Sequence, residues 1–276
     1  MTLTVAVLGL GEAGGAIARD LIAAGAVVRA YDPAVPAPDG AVPAGSEADA
    51  ATGADLVLSV NSAKAAVDAL RAGVAAVDTG VWADLNTASP GVKRQLAGMA
   101  EGEEVAFADV SIMAPVPGRG LRTPMLASGV AAARVAAMLT PLGASVEALD
   151  GPAGLAAERK LLRSVFFKGL AAAVVEALDA GRAAGCEEWL RANIAEELSR
   201  ADAATVDRLV TGTHRHAVRR ADEMAAATDM LTDLGIAPTM SAATRDFLTR
   251  LTSPTPTAPP TAPRAVDQGL PRRSRA

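Results

Sequence analysis

Through the first half of the chain, short apolar runs alternate with Ala-rich segments whose apolar positions recur every three or four residues. A brief apolar run bounded by glycine or proline suits a buried strand, and the longer periodic segments suit helices lying on it. The pattern predicts strands at 3–8, 26–31, 56–60, 75–78 and 105–109, with short additions at 125–127 and 145–149. Strands separated by helical segments make βα units, so a mostly parallel sheet is expected. After Gly154 the alternation stops, and helices are expected over 155–180, 187–203, 204–209, 215–234 and 241–251. The turn Asp150-Gly151-Pro152 separates an α/β domain, 1–150, from an all-α domain, 151–251. Residues 252–276 begin Thr252-Ser253-Pro254-Thr255-Pro256 and offer almost nothing to bury, so a disordered tail is expected there.

Composition narrows the classes of partner. Half the residues are apolar but only 3% are aromatic, so the core must be built from small side chains in close contact. A net charge of -5 excludes a non-specific nucleic-acid binder, which needs a basic field, and leaves a small-molecule substrate as the expected partner. Cys186 is the single cysteine, which excludes a disulfide framework; just after Gly185, it reads as a small buried hydrophobe. His214 and His216 diverge on a helix, so no metal site is expected. No charged segment followed by an unbroken apolar stretch opens the chain, and no run approaches the roughly 20 apolar residues that span a bilayer. A cytoplasmic protein without a membrane partner is the resulting expectation.

The candidate chemistry starts where the first strand runs into Gly9-Leu10-Gly11-Glu12-Ala13-Gly14 and then an Ala-rich helix. G-x-G-x-x-G at a strand-to-helix turn is the fingerprint of a Rossmann dinucleotide site: the glycines permit a tight turn, close approach of backbone to pyrophosphate and close helix–strand packing. Asp32 ends the second strand roughly 20 residues farther on, where a carboxylate accepts bonds from the ribose hydroxyls. It also repels a 2′-phosphate, and Pro33 stands where an arginine could welcome one, so NAD is favoured over NADP as cofactor. Arg29 is the nearby cation whose side-chain direction the pattern leaves open. Asn61 and Thr87 follow further strand ends and are expected near the adenosine and the nicotinamide, respectively.

The glycine turn, segment 84–90, segment 109–129 and the Lys160 helix come in an order that resembles the 3-hydroxyisobutyrate and 6-phosphogluconate dehydrogenase superfamily, over about residues 3–250. The likeness is to its poorly characterised bacterial NAD(P)-dependent oxidoreductase branch. It implies an α/β Rossmann domain followed by an all-α 6-phosphogluconate-dehydrogenase-like domain, with a hydroxy or keto acid in the cleft between them. It also implies that Lys160, in Glu158-Arg159-Lys160-Leu161-Leu162, is the general acid/base. Oxidising an alcohol requires the hydroxyl proton to leave as hydride moves, and an amine beside the hydroxyl can take it.

This chain departs from the family at several positions. Ser164 stands where members carry asparagine, and Lys168, two turns beyond Lys160, adds a second cation to roughly the same helix face. The glycine-rich substrate loop is replaced by Asp109-Val110-Ser111-Ile112-Met113-Ala114-Pro115, so Ser111, Ile112 and Met113 are the expected substrate contacts, with Arg119 or Arg122 available to an acidic group. Farther on, His216, Arg219, Arg220 and Glu223 fall at helical spacings; Arg220 and Glu223 are candidate substrate residues, and Asp222 replaces the family's lysine. An imine reductase and a non-catalytic dinucleotide-binding scaffold are the alternatives. Pairing of two helical domains makes a homodimer the expected assembly.

Overall fold

The computed structural model of the chain describes residues 2–252, so the expectation for 253–276 lies outside the described residues. The chain divides into two compact units, Met1–Phe167 and Lys168–Ala276, and the division falls inside one helix.

The first unit holds a single sheet. Its strands are β1 (Thr4–Leu8), β2 (Val27–Tyr31), β3 (Val42–Pro43), β4 (Leu56–Ser59), β5 (Val81–Asp84), β6 (Ala106–Ile112), β7 (Met125–Ser128) and β8 (Val146–Ala148). They lie in the order β3-β2-β1-β4-β5-β6-β7-β8. Every neighbouring pair is parallel except β6 with β7. The connecting helices are α1 (Glu12–Ala23), α2 (Glu47–Ala51), α3 (Ala66–Gly73), α4 (Pro90–Gly102) and α5 (Ala132–Leu139).

Alternation along β1 explains the two-sided core. Val5 and Val7 pack with Ile17 and Leu21 of α1 and with Val135 and Leu139 of α5. Ala6 and Leu8 point the other way, into a cluster with Ala50 of α2, Leu70 of α3 and Leu96 of α4. Helices cover both faces, which is why the strands read as unbroken apolar runs. Trp82 of β5 is fully buried in the second cluster; enclosing a side chain of that size stabilises by about 3 kcal/mol.

Two expectations for this unit need correction. Residues 75–78 do not form a strand: α3 ends in a short 3-10 turn, Val74–Ala76, and the strand is Val81–Asp84. Entry to the sheet is decided at Gly80, where a Cβ would lie 2.5 Å from the Ala54 carbonyl oxygen, so only a glycine lets the chain pass. Segment 110–112, expected as a loop, instead continues β6, because β7 provides a ladder in which Ser111 faces Leu126 and Ile112 faces Met125.

Helix α6 (Leu155–Ala183) contains the division between the units. Its residues 155–167 belong to the sheet unit, with Ala156 and Ala157 buried. The second unit holds the rest of α6 and then α7 (Glu187–Ser199), α8 (Ala203–Arg215), α9 (Ala217–Asp233) and α10 (Thr239–Thr252). Asp202 and Thr205 form a capping box that starts α8 at Ala203, and the helix runs on past the expected end at 209 to Arg215. Glu176 receives Met240 N at 2.7 Å and Ser241 N at 2.8 Å, which caps α10. Cys186 is exposed rather than buried, since it sits in the turn before α7, a helix with no buried residue. Among the described residues, no helix is long and apolar enough to cross a membrane. Nor do three or more His, Cys, Asp or Glu among them cluster so as to hold a metal ion.

Candidate active site

The three glycines of the turn do different work. Gly9 has φ +95°, and a Cβ there would lie 2.5 Å from the Val60 carbonyl oxygen and 2.6 Å from Asn61 Oδ1. A Cβ on Gly14 would come 1.9 Å from the Gly9 carbonyl oxygen. Both are demanded by the fold. Gly11 is not: its φ is -60°, and a Cβ would meet nothing within 4 Å. The glycine keeps open a space at the N-terminus of α1, where no side chain caps the helix and the amides of Glu12 and Ala13 begin it. Free backbone donors at the positive end of a helix, with a cradle that a Cβ would fill, fit a dinucleotide pyrophosphate.

Asp32 closes the same turn from β2. Its Oδ2 accepts from Leu10 N at 2.7 Å, and its Oδ1 accepts from Ala34 N at 2.8 Å and Val35 N at 2.9 Å. Burial works to raise its carboxyl, but the three backbone donors outweigh burial and hold it below the usual carboxylate value. Three of about four acceptor positions are thereby used, leaving one for a ligand hydroxyl. Leu10 contributes its amide to this arrangement while its side chain is buried in the core. Arg29 turns to α2, donating to Asp49 Oδ1 at 2.9 Å and to the Ala50 carbonyl at 3.2 Å. Asn61 donates to Ser59 Oγ at 3.1 Å.

Thr87 and Lys160, 73 residues apart, are in contact: Lys160 Nζ donates to Thr87 Oγ1 at 2.8 Å. Ser89 starts α4 by accepting from Val92 N at 3.3 Å, with Pro90 as the first helical residue, so Thr87 sits in the segment between β5 and that cap. Ser164 donates to the Lys160 carbonyl at 3.0 Å, leaving its hydroxyl oxygen as an acceptor.

Other sequence candidates are more dispersed. Ser111 is buried on β6, Ile112 and Met113 are half-buried, and Met113 N donates to the Pro124 carbonyl at 2.8 Å. Arg119 and Arg122 are exposed. In the second unit Lys168 is exposed, Arg220 donates to Thr213 Oγ1 at 2.8 Å, and Glu223 pairs with Arg219 on the helix surface. His216 meets Arg220 through the backbone, its carbonyl accepting from Arg220 N at 3.0 Å.

Sequence reasoning passed over the buried ion cluster beneath Thr87. Asp84 and Asp109 are register partners on β5 and β6, and Lys93 of α4 reaches between them. Its Nζ lies 2.6 Å from Asp84 Oδ2 and 3.0 Å from Asp109 Oδ1; the second contact is an ion pair without hydrogen-bond alignment. All three side chains are essentially inaccessible. A signal was present, because Lys93 shares the buried face of α4 with Leu96 and Ala100, at helical spacings of three and seven.

A mostly parallel sheet with a glycine-rich first turn and an acidic second-strand end has the features of a dinucleotide-binding Rossmann domain. Residues 4–149 match the NAD binding domain of 6-phosphogluconate dehydrogenase. The chain belongs to that family of NAD(P)-dependent dehydrogenases and reductases, within the 3-hydroxyisobutyrate and 6-phosphogluconate dehydrogenase-like superfamily. Residues 182–251 match a domain of unknown function, DUF1932. Among solved structures, a conserved hypothetical protein from Sinorhizobium meliloti 1021 is 30% identical, with 90% of this chain and 88% of that one covered and a TM-score of 0.59. A conserved protein of unknown function, described as structurally similar to 3-hydroxyacid dehydrogenases, is 25% identical, with 90% and 98% covered and a TM-score of 0.59. The reductive aminase from Aspergillus terreus, in complex with NADPH and ethyl levulinate, shares the fold at 18% identity, with 91% and 93% covered and a TM-score of 0.76. No curated protein matches the sequence.

Proposed function

We propose that the protein is an NAD-dependent oxidoreductase acting on the C–OH or C=O group of a small hydroxy or keto acid, with Lys160 as general acid/base. The contact between Lys160 Nζ and Thr87 Oγ1, at 2.8 Å, carries this reading. It brings together the two side chains that the strand-end rule and the family resemblance assign separately to the nicotinamide and to the proton. The nicotinamide supplies or receives the hydride. In the oxidative direction Lys160 takes the substrate hydroxyl proton at Nζ, and in the reductive direction it returns that proton to the carbonyl oxygen. Thr87 Oγ1 accepts from Nζ and so sets the amine's direction. The Gly11 opening and the amides of Glu12 and Ala13 hold the pyrophosphate, while Asp32 and Asn61 hold the adenosine end.

Asp32 bears on the choice of cofactor. A carboxylate kept ionised by three backbone donors opposes a 2′-phosphate, and Arg29, bound to α2, does not offset it. Fluorescence titration should give tighter binding of NADH than of NADPH, with the difference abolished in Asp32→Ala. Equal or tighter NADPH binding by the unaltered protein overturns this account of Asp32. Binding of neither cofactor overturns the oxidoreductase.

A second reading, reduction of a C=N bond, is favoured by the fold shared with the Aspergillus terreus reductive aminase. Screening keto acids, hydroxy acids and cyclic imines with the preferred cofactor separates the two. Ser111, Ile112, Met113 and Ser164 are the proposed substrate contacts of the sheet unit; Lys168, Arg220 and Glu223 are proposed as substrate residues of the helical unit on their own account. The domain limits near residue 151 remain part of this proposal.

A homodimer through the helical unit is also proposed. Helices α7 and α8 bury no residue within the chain, and Trp189 and Val206 are 66% and 63% exposed. Apolar surface on that scale calls for a second copy. Sedimentation at about twice the chain mass is expected, and sedimentation as a monomer at micromolar concentration removes the dimer.

A further inference from the structure

The buried ions Asp84, Lys93 and Asp109 take no part in the chemistry proposed above, yet both sides of the Lys160–Thr87 contact are tied to them. Asp84 and Asp109 face each other in register on β5 and β6. They follow Trp82 and Phe107 by two residues and therefore share the sheet face that those side chains fill. Lys93 Nζ donates to Asp84 Oδ2 at 2.6 Å and to the Asp84 carbonyl at 2.8 Å, and it forms an ion pair with Asp109 Oδ1 at 3.0 Å.

From Asp84 the connections run toward Thr87. Asp84 Oδ1 accepts from Asn86 Nδ2 at 2.5 Å, and the same amide donates to Ser59 Oγ at 3.0 Å. Thr87 is the next residue. From Asp109 they run toward Lys160: Asp109 Oδ2 accepts from Gly154 N at 3.1 Å and Ala157 N at 3.0 Å, while Ser128 Oγ accepts from Ala156 N at 3.0 Å. These amides form the start of α6, and Lys160 lies three residues, about 4.5 Å along the axis, beyond Ala157. The contacts close a ring: Lys160, Thr87, Asn86, Asp84, Lys93, Asp109, Ala157 and back along α6.

A buried ion pair is a poor source of stability, because desolvation consumes most of the Coulombic gain and an apolar replacement is often as stable. What ions add over methyl groups is direction and a defined separation. We propose that Lys93, clamped between Asp84 and Asp109, is a positioning residue that fixes the separation of the Thr87 segment from the first turn of α6 and so aims Lys160. The inference rests on the reading of Lys160 as the acid/base.

The sequence contains four lysines, Lys64, Lys93, Lys160 and Lys168, so protein labelled with ε-13C-lysine gives one signal for each of four residues. The Lys160 signal is identified by its loss in Lys160→Arg. In the unaltered protein it should stand apart from that of exposed Lys64 and move in Thr87→Val. The decisive variant is Lys93→Met with Asp84→Asn, which removes one charge of each sign and keeps the Asp109 cap on α6. Expected are NADH binding within about threefold of the unaltered protein and a Lys160 signal that collapses onto that of Lys64. With the substrate found by screening, kcat should fall about tenfold to a hundredfold, the cost of a small misplacement, with KM little changed. If the double variant does not fold, Asp84→Asn alone, which keeps the Asp109 cap on α6 and the Lys93–Asp109 pair, is read in the same way.

Loss of a core ion pair of purely structural importance lowers thermal stability but leaves the Lys160 signal of the folded protein in place. That result overturns the proposal, as does a Lys160 signal coincident with Lys64 from the start, or failure of both variants to fold. Whether Lys160 is the acid/base at all is read separately, from turnover in Lys160→Met, so the two inferences fail independently.

Discussion

Gly11→Val is expected to leave the fold standing while dinucleotide affinity falls at least about a hundredfold, or about 2.8 kcal/mol. The backbone at Gly11 has φ -60° and ψ -163°, which valine adopts readily, and a Cβ there meets nothing within 4 Å. As the residue preceding α1, Gly11 lends no side-chain cap that valine would remove; the stability cost stays within about 1 kcal/mol. The added methyls instead fill the space where the pyrophosphate must approach the helix N-terminus. Gly14→Ala is the contrasting control: its Cβ would lie 1.9 Å from the Gly9 carbonyl oxygen, so the turn itself must shift. That substitution should cost about 3 kcal/mol of stability, in the range of overpacked cores. Thermal unfolding and NADH titration of both variants check the pair. Full binding by a stably folded Gly11→Val removes the pyrophosphate from this turn.

Lys160→Met should lower kcat about a thousandfold, equivalent to about 4 kcal/mol, with NADH affinity within about threefold of the unaltered protein. Methionine keeps the length and apolar stem of the side chain while deleting the proton carrier, and the glycine turn that holds the cofactor is untouched. The size of the loss also discriminates between substrates. A carbonyl oxygen needs a proton as hydride arrives, whereas an iminium ion already carries its proton and gains only hydride. A loss of less than tenfold on a keto acid removes Lys160 as the acid/base. A small loss on an imine, with none of the acids turned over, moves the reading to C=N reduction.

Local features of the chain were legible before any tertiary contact was known. The strand at 3–8 and the glycine turn lie within a few residues of each other, and the long helix from 155 follows from a periodicity contained in its own sequence. The strand misplaced at 75–78 shows where such reasoning stops. Segments 75–78 and 81–84 are both short apolar runs ending in aspartate, and only the passage of Gly80 against the Ala54 carbonyl decides that the second enters the sheet. Likewise, segment 110–112 reads as a loop until β7 pairs with it, and no local pattern announces an antiparallel partner.

By itself, the sequence determined the alternation of strands and helices, the dinucleotide turn and the acidic second-strand end, because each depends on spacings within about 30 residues. Tertiary structure alone decided that Thr87 meets Lys160 and that Lys93 stands between Asp84 and Asp109. Those contacts arise from strand register and from where α4 and α6 start on the sheet. Such quantities are fixed by packing between distant segments, which leaves no period in the sequence to read.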